Sequence, residues 1–331
     1  MIILNRFLVI FLFSIFFLSS CSFNNDKKEI ICDQNMAAFD IGSGTTKLKV
    51  FSVNVCEKKI NKVIIYSTLP VGYSQDLKDN NGKFSAEIIE YGTSVIDRFI
   101  KVANSFKVSK IIGVATSAFR ISSNGKMVVE SWNKKFGLNF RVIDQKEEAL
   151  IGYDSVRMHD SQKYAVWDIG GGSMQLVENS EGQPFIYLGN IASVTFKNKL
   201  LERINKKGMT PNPMSKTTFS QAINLSMELF TEEIKQKKLK NFGKGIRFIG
   251  IGGLHKSLLP DGKDKYTLEE MHERADRFIG KTDEQINSKY SDTMVSNIAL
   301  VIGFMKIFNI NEVYVQNVVL SDGLIYQELH Y

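Results

Sequence analysis

Two short glycine-rich turns, each set between apolar runs, constrain the fold of this chain more than any other feature. They lie at residues 40–46 (DIGSGTT) and 168–173 (DIGGGS). An apolar strand, a turn of small residues and a second apolar strand predict a β-hairpin. Glycines let the backbone turn sharply and bring its N–H groups close to an anion, and an aspartate heads each turn. Two such turns, far apart in the chain, predict paired lobes that hold a phosphate chain between them.

The first residues of the chain predict export. Arg6 precedes an apolar stretch that is too short to span a bilayer comfortably and suits a cleaved signal peptide. Small residues then lead to Cys21, as in a bacterial lipobox, where the cysteine is lipidated and becomes the new N-terminus. An uncleaved anchor helix with an incidental cysteine is the alternative. We predict a lipoprotein signal peptide at 1–20 and a tether at 21–33.

This leader predicts the location of the protein. A lipid on Cys21 would anchor the chain to a membrane of the cell envelope, facing the periplasm or the exterior. Ser22 behind the lipid resembles the sorting signal for the outer membrane of a Gram-negative cell. A lipid-anchored protein of this kind meets substrates outside the cytoplasm.

Composition and charge limit the class of protein. Hydrophobic residues make up 44% and charged residues 23% of the 331 residues, which are ordinary values for globular domains. The chain is long enough for two domains with cores of their own. The formal net charge of +7 favours polyanionic partners, but no nucleic-acid-binding signature accompanies it. We therefore expect no nucleic-acid partner.

Two cysteines flank the first hairpin. Opposed residues in a hairpin have a constant index sum, and a turn centred on Gly44 gives 88, which is also the sum for Cys32 and Cys56. A disulfide at the open end of the hairpin is favoured, since an exported protein folds under oxidising conditions. The alternative is two unrelated buried thiols, because a one-residue bulge would break the match.

Apolar patterns alternate between strands and helices along the rest of the chain, which predicts an α/β protein. Residues 72–83 read as a polar loop. The predicted strands, besides the two hairpins, are 62–69, 110–115, 140–143, 245–251 and 312–318. The predicted helical segments are 86–106, 126–136, 146–156, 199–240, 268–279, 292–308 and 320–329.

Five motifs together resemble one known family. Residues 114–120 (VATSAFR), followed by Asn124, resemble the ATSAxR…N motif of the exopolyphosphatase and guanosine pentaphosphate phosphohydrolase (Ppx/GppA) family. Four other segments resemble further family motifs in the family order, and they are 142–149 (VIDQKEEA), the second glycine turn, 248–254 (FIGIGGL) and 320–326 (LSDGLIY). The resemblance extends from about residue 36 to residue 329.

The resemblance implies the fold. The family belongs to the actin-like ATPase superfold, in which two ribonuclease H-like, mixed-sheet α/β domains enclose a phosphate-binding cleft. We place domain I at 34–150, with the C-terminal helix 322–331 as a candidate for completing it, and domain II at 151–321. A homodimer is one option for the oligomeric state.

The resemblance also implies roles for individual residues. Asp40 and Asp168 would hold Mg²⁺, as hard oxygen ligands do. Arg120 would pair with a terminal phosphate as a bidentate donor, and Glu148 would be the base that deprotonates water. Glu147, its neighbour on the helix, would face elsewhere. The implied phosphate-binding residues are Gly42, Ser43, Gly44, Thr45, Thr116, Ser117, Gly170, Gly171, Gly172, Ser173, Gly252 and Gly253.

Gln175 departs from the family pattern. The family motif DIGGGSxE has an acidic residue at this position, and glutamine keeps its size and acceptor oxygen but lacks its charge. Metal binding should therefore be weaker in this chain. The first turn also has GSGT where the family has GSNS, although its small hydroxyl character is kept.

Three functions remain open on the sequence. The first is a Mg²⁺-dependent phosphoanhydride hydrolase of the exopolyphosphatase type, acting on polyphosphate or on a phosphorylated nucleotide such as guanosine pentaphosphate. The second is a membrane-tethered protein that binds polyphosphate or nucleotide but turns it over weakly or not at all. Glu148 favours the enzyme, whereas Gln175 and the predicted location favour the binding protein. A sugar kinase is third, but it does not explain the 114–120 and 142–149 motifs.

Overall fold

The two predicted hairpins organise two separate β-sheets. The computed structural model describes residues 31–156, 163–180, 183–237 and 245–331. The predicted signal peptide, Cys21 and most of the tether lie outside these residues. Cys32–Tyr331 form one unit, which contains both sheets.

The first sheet has the order β3-β2-β1-β4-β5. Its strands are β1 (Asp33–Ile41), β2 (Thr45–Asn54), β3 (Lys59–Pro70), β4 (Lys110–Ala115) and β5 (Arg141–Val142). Strands β1, β2 and β3 form an antiparallel meander, and β4 and β5 continue the sheet in parallel with β1. The helices of this part of the chain are α1 (Tyr73–Asp79), α2 (Ala86–Ser105), α3 (Ser117–Ile121), α4 (Gly125–Phe136) and α5 (Gln145–Val156).

The second sheet repeats this topology. Its strands are β6 (Tyr164–Ile169), β7 (Met174–Ser180), β8 (Gln183–Gly189), β9 (Arg247–Ile251), β10 (Lys265–Thr267) and β11 (Glu312–Val315), in the order β10-β11-β9-β6-β7-β8. An antiparallel meander, β6 to β8, is again extended by parallel strands, β9 and β11, and β10 is added at the edge. The remaining helices are α6 (Ser193–Arg203), α7 (Lys216–Lys237), α8 (Gly252–Leu258), α9 (Leu268–Phe278), α10 (Asp283–Ile286), α11 (Ser291–Phe308) and α12 (Leu320–His330). These two mixed sheets confirm the predicted α/β class.

Strand β1 is buried on both faces, and its alternating side chains enter two different cores. Phe39 and Ile41 pack with residues of α2 and α4 on one face. Met36 and Ala38 point to the other face, where they meet α12. This alternation is the period of two expected of a strand. The C-terminal helix therefore covers the first sheet, although it follows the second sheet in the chain.

Helix α5 lies between the two sheets. Ile151 packs with α12 and the first sheet, whereas Ala149 and Val156 pack with the second sheet. A Cβ added at Gly323 of α12 would lie 1.9 Å from the carbonyl oxygen of Ile151, so the two helices touch through their backbones. The predicted domain boundary at residue 150 falls inside this helix, and the domain limits remain a prediction.

A buried ion pair fixes the start of α12 to the first sheet. The Nζ atom of Lys49 on β2 lies 2.6 Å from Oδ2 of Asp322, and both side chains are at most one-tenth exposed. The same oxygen of Asp322 accepts a hydrogen bond from the backbone N–H of Val319. Removal of one partner from such a pair would leave a buried charge uncompensated, which is strongly destabilising.

Cys32 and Cys56 form a disulfide, with their Cα atoms 5.3 Å apart. The predicted index sum of 88 is wrong, since Asp40 pairs with Lys47, which gives 87. The backbone N–H of Val55 donates to the carbonyl oxygen of Cys32, so Cys56 lies one residue beyond the position directly opposite Cys32. The bridge forms diagonally across the end of the hairpin. Strand β1 begins at Asp33, which is the last residue of the predicted tether.

One other expectation differs from the structure. The predicted polar loop at residues 72–83 contains α1, in which the buried side chains of Tyr73 and Leu77 are four residues apart and share one helix face. Helices α3, α8 and α10 are too short to give a periodic signal. By length and composition α11 could span a membrane, but 72% of it is buried in the core of the second sheet, as in a core helix.

Candidate active site

The two glycine turns are closed by the same backbone hydrogen bond. The N–H of Gly42 donates to the carbonyl oxygen of Thr45 at 2.9 Å, and the N–H of Gly170 donates to that of Ser173 at 2.9 Å. Each hairpin therefore ends in a tight turn of the same geometry. This repeated geometry follows from the local sequence, in which glycine and small hydroxyl residues fill both turns.

The turns approach each other closely. A Cβ added at Gly172 would lie 2.9 Å from Oγ of Ser117, which begins α3, and a Cβ at Gly171 would lie 3.9 Å from Cβ of Ser43. The first turn, the second turn and the start of α3 thus meet around one cleft. A side chain at Gly172 would intrude into this space.

A cleft with room for a small ligand, about 290 Å³, lies between the two sheets. Every predicted phosphate-binding residue lines it, and so do Asp40, Asp168 and Glu148. The lining residues named by the sequence are Asp40, Gly42, Ser43, Gly44, Thr45, Thr116, Ser117, Glu148, Asp168, Gly170, Gly171, Gly172, Ser173, Gly252 and Gly253. The structure thus brings together segments that are more than two hundred residues apart in the chain.

Glu148 is a buried carboxylate that opens onto this cleft. It lies in the first turn of α5 and is 7% exposed. Burial raises the pKa of Glu148 to about 7, and the nearby carboxylates of Asp168 and Asp40 raise it as well, whereas Arg120 opposes the shift. A carboxylate with a pKa near neutrality can accept a proton and release it again. Glu147 instead pairs with Arg141 on the outer side of the helix.

Arg120 contacts Glu148 directly. Its Nη1 atom donates to Oε2 of Glu148 at 3.0 Å and to the carbonyl oxygen of Ile143 at 2.9 Å. Arg120 does not line the cleft in the described structure. The guanidinium group thus holds the Glu148 side chain in place, and the predicted contact between Arg120 and a phosphate stays a prediction.

Asp40 and Asp168 enter the cleft from corresponding positions of the two hairpins. Burial raises the pKa of Asp168 to about 6, Lys47 lowers it and Asp40 raises it. Lys47, directly opposite Asp40 across the first hairpin, places its Nζ atom 2.6 Å from Oδ2 of Asp40. Burial alone would lower the pKa of Lys47, but Asp40, with Tyr66 and Asp168, raises it overall. The cleft is thus lined by four carboxylates, with Asp292 as the fourth, and by the ammonium groups of Lys47 and Lys289.

Comparisons with known proteins agree with this geometry. The model of the Ppx/GppA phosphatase family matches residues 71–331. The chain belongs to this family. Exopolyphosphatase 1 of Mycobacterium tuberculosis is 25% identical over 156 residues, which cover 46% of this chain and 44% of that protein. Exopolyphosphatase 1 of Mycobacterium leprae is also 25% identical over 156 residues, which cover 46% of this chain and 45% of that protein. The match thus spans less than half the length of these relatives.

Solved structures of Ppx/GppA proteins share the fold. The crystal structure of the Aquifex aeolicus family member has a TM-score of 0.71 at 19% identity, covering 90% of this chain and 98% of that one. An exopolyphosphatase from Cytophaga hutchinsonii has a TM-score of 0.72 at 18% identity, covering 89% and 98%. At this level of identity the likeness establishes the fold, which is the actin-like arrangement of two mixed sheets that the sequence predicts.

Gln175, the departure from the Ppx/GppA pattern, lies opposite Asp168 across the second hairpin. It is 3% exposed, and its Nε2 atom donates to Oγ of Ser173 at 3.0 Å. This hydrogen bond stabilises the second glycine turn from within its own hairpin. Gln175 does not line the cleft. In the first hairpin the corresponding position is Lys47, so neither hairpin places a second carboxylate opposite its aspartate.

Gly252 and Gly253, at the end of the 248–254 motif, form a third glycine turn that fits closely against Asp168. Gly252 has a φ angle of +83°, which side chains other than glycine rarely adopt. A Cβ at this position would also lie 2.7 Å from Oδ1 of Asp168. Glycine is thus required here both by the backbone conformation and by the carboxylate beside it.

The oxygen donors in the cleft suit a cation that is bound together with a phosphate ligand. No group of three or more His, Cys, Asp or Glu side chains in the described part of the chain could hold a metal by itself. Asp40 and Asp168 supply carboxylates from both lobes, and the burial and mutual repulsion that raise the pKa of Asp168 would be relieved by a cation. Mg²⁺ commonly binds through one or two carboxylates together with substrate phosphates. These residues fit such a site.

Sequence reasoning missed several residues of the cleft. Lys47 had a local signal, because it is the residue opposite Asp40 in the hairpin register. Residues just before and within α11 had no such signal, since only the tertiary fold brings them to the cleft. These unpredicted lining residues are Lys289, Tyr290, Asp292, Thr293 and Asn297.

Proposed function

We propose that this protein hydrolyses phosphoanhydride bonds and releases the terminal phosphate of polyphosphate or of guanosine pentaphosphate. The observation that carries the proposal is Glu148, a buried carboxylate whose pKa is raised to about 7 and which opens onto a cleft lined by two glycine turns. Membership of the Ppx/GppA phosphatase family and the similarity to mycobacterial exopolyphosphatases support it.

In the proposed reaction, the backbone N–H groups of the two glycine turns bind the terminal phosphate. Glu148 accepts a proton from a water molecule, whose oxygen attacks the terminal phosphorus while the bond from phosphorus to the bridging oxygen breaks. The leaving chain keeps the bridging oxygen, and the proton passes from Glu148 to solvent or product. Arg120 acts as a positioning residue, because its contact with Oε2 orients the Glu148 carboxylate.

We propose Asp40 and Asp168 as the residues that hold Mg²⁺ together with substrate oxygens. When bound, the cation would neutralise charge on the phosphate groups. Lys47 already neutralises part of the charge of Asp40, so Asp168 would contribute more to holding the cation.

A mutation of Gln175 tests the metal site without an activity assay. Gln175→Glu would put a buried carboxylate directly opposite that of Asp168, so we expect Tm to fall by about 4 °C without metal. Millimolar Mg²⁺ should raise Tm by more in the variant than in the wild type. The control is Gln285→Glu, at an exposed N3 position of a capping box that accepts glutamate equally well. Equal Mg²⁺-induced shifts in Gln175→Glu and wild type would place the cation elsewhere.

The function is tested by phosphate release from polyphosphate and from guanosine pentaphosphate, each with Mg²⁺ titrated. Release of orthophosphate from either substrate is the expected result. The second candidate, a binding protein with little turnover, is favoured by the uncharged Gln175. Tight polyphosphate binding without any release of phosphate would support that candidate against the hydrolase.

We propose that the protein acts outside the cytoplasm as a lipoprotein. The disulfide between Cys32 and Cys56 supports this location, since such bonds persist in oxidising compartments. Substrates would then be extracytoplasmic polyphosphate or released nucleotides. In cell fractionation, the wild type should appear in the membrane fraction and Cys21→Ser should lose its lipid label. A Cys21→Ser variant that still incorporates labelled lipid would contradict the assignment of Cys21.

A further inference from the structure

One wall of the cleft is not explained by the proposed hydrolysis chemistry. It consists of Lys289, Tyr290, Thr293 and Asn297, which we call the α11 wall. Asp292 lines the cleft beside them, and its carboxylate is paired with Lys197 at 2.6 Å. Lys289 precedes the helix and Tyr290 is its N-cap residue. Tyr290, Thr293 and Asn297 are spaced i, i+3, i+7, so they share one face of α11, and that face is turned towards the cleft.

The α11 wall contains a buried hydrogen-bond donor without an acceptor. Asn297 is 1% exposed, and its Oδ1 atom accepts a hydrogen bond from Oγ of Ser193 at 2.7 Å. Its Nδ2 atom has no partner among the described residues. A buried amide donor left without an acceptor destabilises the protein, because the group has lost its hydrogen bonds to water. An oxygen-rich ligand in the cleft would satisfy it.

The hydroxyl of Tyr290 is a second donor on the same face. A Cβ added at Gly253 would lie 2.3 Å from Oη of Tyr290, so the hydroxyl sits against the third glycine turn. Burial raises the pKa of Tyr290 above its ordinary value, so the group stays protonated and can donate. Asn297 and Tyr290 thus offer two donors from one helix face.

Lys289 adds a positive charge at the rim of the cleft. Its Nζ atom lies 5.6 Å from the centre of the Tyr290 ring, and among the described residues no carboxylate pairs with it. Burial and the nearby charge of Lys47 both lower the pKa of Lys289. The two lysines thus repel each other from opposite lobes of the cleft, and among the described residues Asp40 forms its ion pair with Lys47 and not with Lys289. A polyanion between the lobes would remove this repulsion.

We propose that the α11 wall binds the phosphate groups behind the scissile bond, which are the second phosphate and those that follow. The inference rests on the proposed function, in which the terminal phosphate sits at the glycine turns beside Glu148. Glu148 and Asp40 lie at the buried end of the cleft, whereas Lys289 is exposed at the rim. A chain with its terminal phosphate at the buried end extends past the α11 wall. Polyphosphate and guanosine pentaphosphate share this chemistry.

The test compares Lys289→Gln with Lys306→Gln, both in a Glu148→Gln background that preserves bound substrate. Lys306 is an exposed lysine of α11 that does not line the cleft, so it controls for the loss of one positive charge. Tripolyphosphate and orthophosphate are the binding probes. We expect Lys289→Gln to raise the Kd for tripolyphosphate about tenfold and to leave the Kd for orthophosphate within about twofold, because one charge-assisted contact is lost only from the longer ligand. Lys289→Arg should restore the affinity.

Several results would overturn the inference. They are an unchanged Kd for tripolyphosphate, an equal loss of affinity for orthophosphate, or an equal loss in Lys306→Gln. Guanosine pentaphosphate provides a second arm. A comparable loss for both substrates supports recognition of phosphate, whereas a loss confined to the nucleotide contradicts it. These binding measurements are independent of turnover, so a failure of wild-type protein to release phosphate would refute the proposed function and leave the assignment of Lys289 separately testable.

Discussion

Glu148→Gln should lower the rate of phosphate release by a factor of about 10²–10⁴, the usual contribution of a general base, while polyphosphate still binds. Glutamine has nearly the same shape as glutamate and can still accept a hydrogen bond from Nη1 of Arg120. It cannot accept a proton from water at neutral pH. The loss should therefore appear in kcat and leave KM nearly unchanged. Initial rates of phosphate release at saturating polyphosphate measure it.

The pH profile gives the same prediction a second readout. Glu148 acts as a base only when it is deprotonated, so the wild-type rate should rise with pH through a pKa of about 7 and fall below it. Burial and the carboxylates of Asp168 and Asp40 raise the pKa of Glu148, and so the pH at which the rate rises, whereas Arg120 lowers it. A bound cation favours the charged carboxylate, so a higher Mg²⁺ concentration should shift this rise in rate to lower pH. The residual rate of Glu148→Gln should not show this rise with pH.

Glu147→Gln is the matched control, because it makes the same change at the adjacent residue of α5. Glu147 pairs with Arg141 on the outer side of the helix and does not line the cleft. Its rate should stay within about twofold of the wild type, as expected for loss of an exposed ion pair. Glu148 is not the base if Glu148→Gln keeps the wild-type rate and its rise with pH. The same conclusion follows if Glu147→Gln loses as much activity as Glu148→Gln.

Much of the candidate site could be predicted because its parts are local. A glycine turn between apolar strands specifies its own hairpin, and the same backbone hydrogen bond closes both turns, at Gly42 and Gly170. The family motifs then indicated Glu148, and the fold brings it to the cleft. The position of Lys47 opposite Asp40 required the exact hairpin register, which the sequence placed one residue away from the observed one.

The rest of the site depends on long-range packing. Asn297 lies in the most apolar long helix of the second sheet, where a single asparagine gives no periodic signal. Its role becomes visible only because α11 points one face into a cleft formed by residues from distant parts of the chain. The same holds for Arg120, whose motif position suggested a phosphate ligand and whose contact in the structure is Glu148.

Gly323→Ala should be strongly destabilising, with the free energy of unfolding reduced by about 3 kcal/mol. An added Cβ would lie 1.9 Å from the carbonyl oxygen of Ile151 and 2.8 Å from its carbonyl carbon. Both are backbone atoms of α5, which cannot rotate away as a side chain would. The sign is opposite to that of an ordinary helix position, where alanine is better than glycine by about 1 kcal/mol.

Gly152→Ala on α5 is the matched control, because it is another buried helix glycine. Its added Cβ would lie 3.4 Å from Cδ1 of Ile251, an ordinary contact with a movable side chain. This variant should be as stable as the wild type or more stable. Urea denaturation of both variants measures the difference.

The contact at Gly323 also bears on the active site. Helix α5 carries Glu148 one turn before Ile151, and α12 is held to the first sheet by the Lys49–Asp322 ion pair. If α12 moves away to admit the new methyl group, the ion pair is strained; if α5 moves, Glu148 shifts relative to Arg120. In folded Gly323→Ala protein, phosphate release should therefore fall more than polyphosphate binding. Stability and rate both equal to the wild type would mean that the helices can separate freely, and that their backbone contact does not position the proposed base.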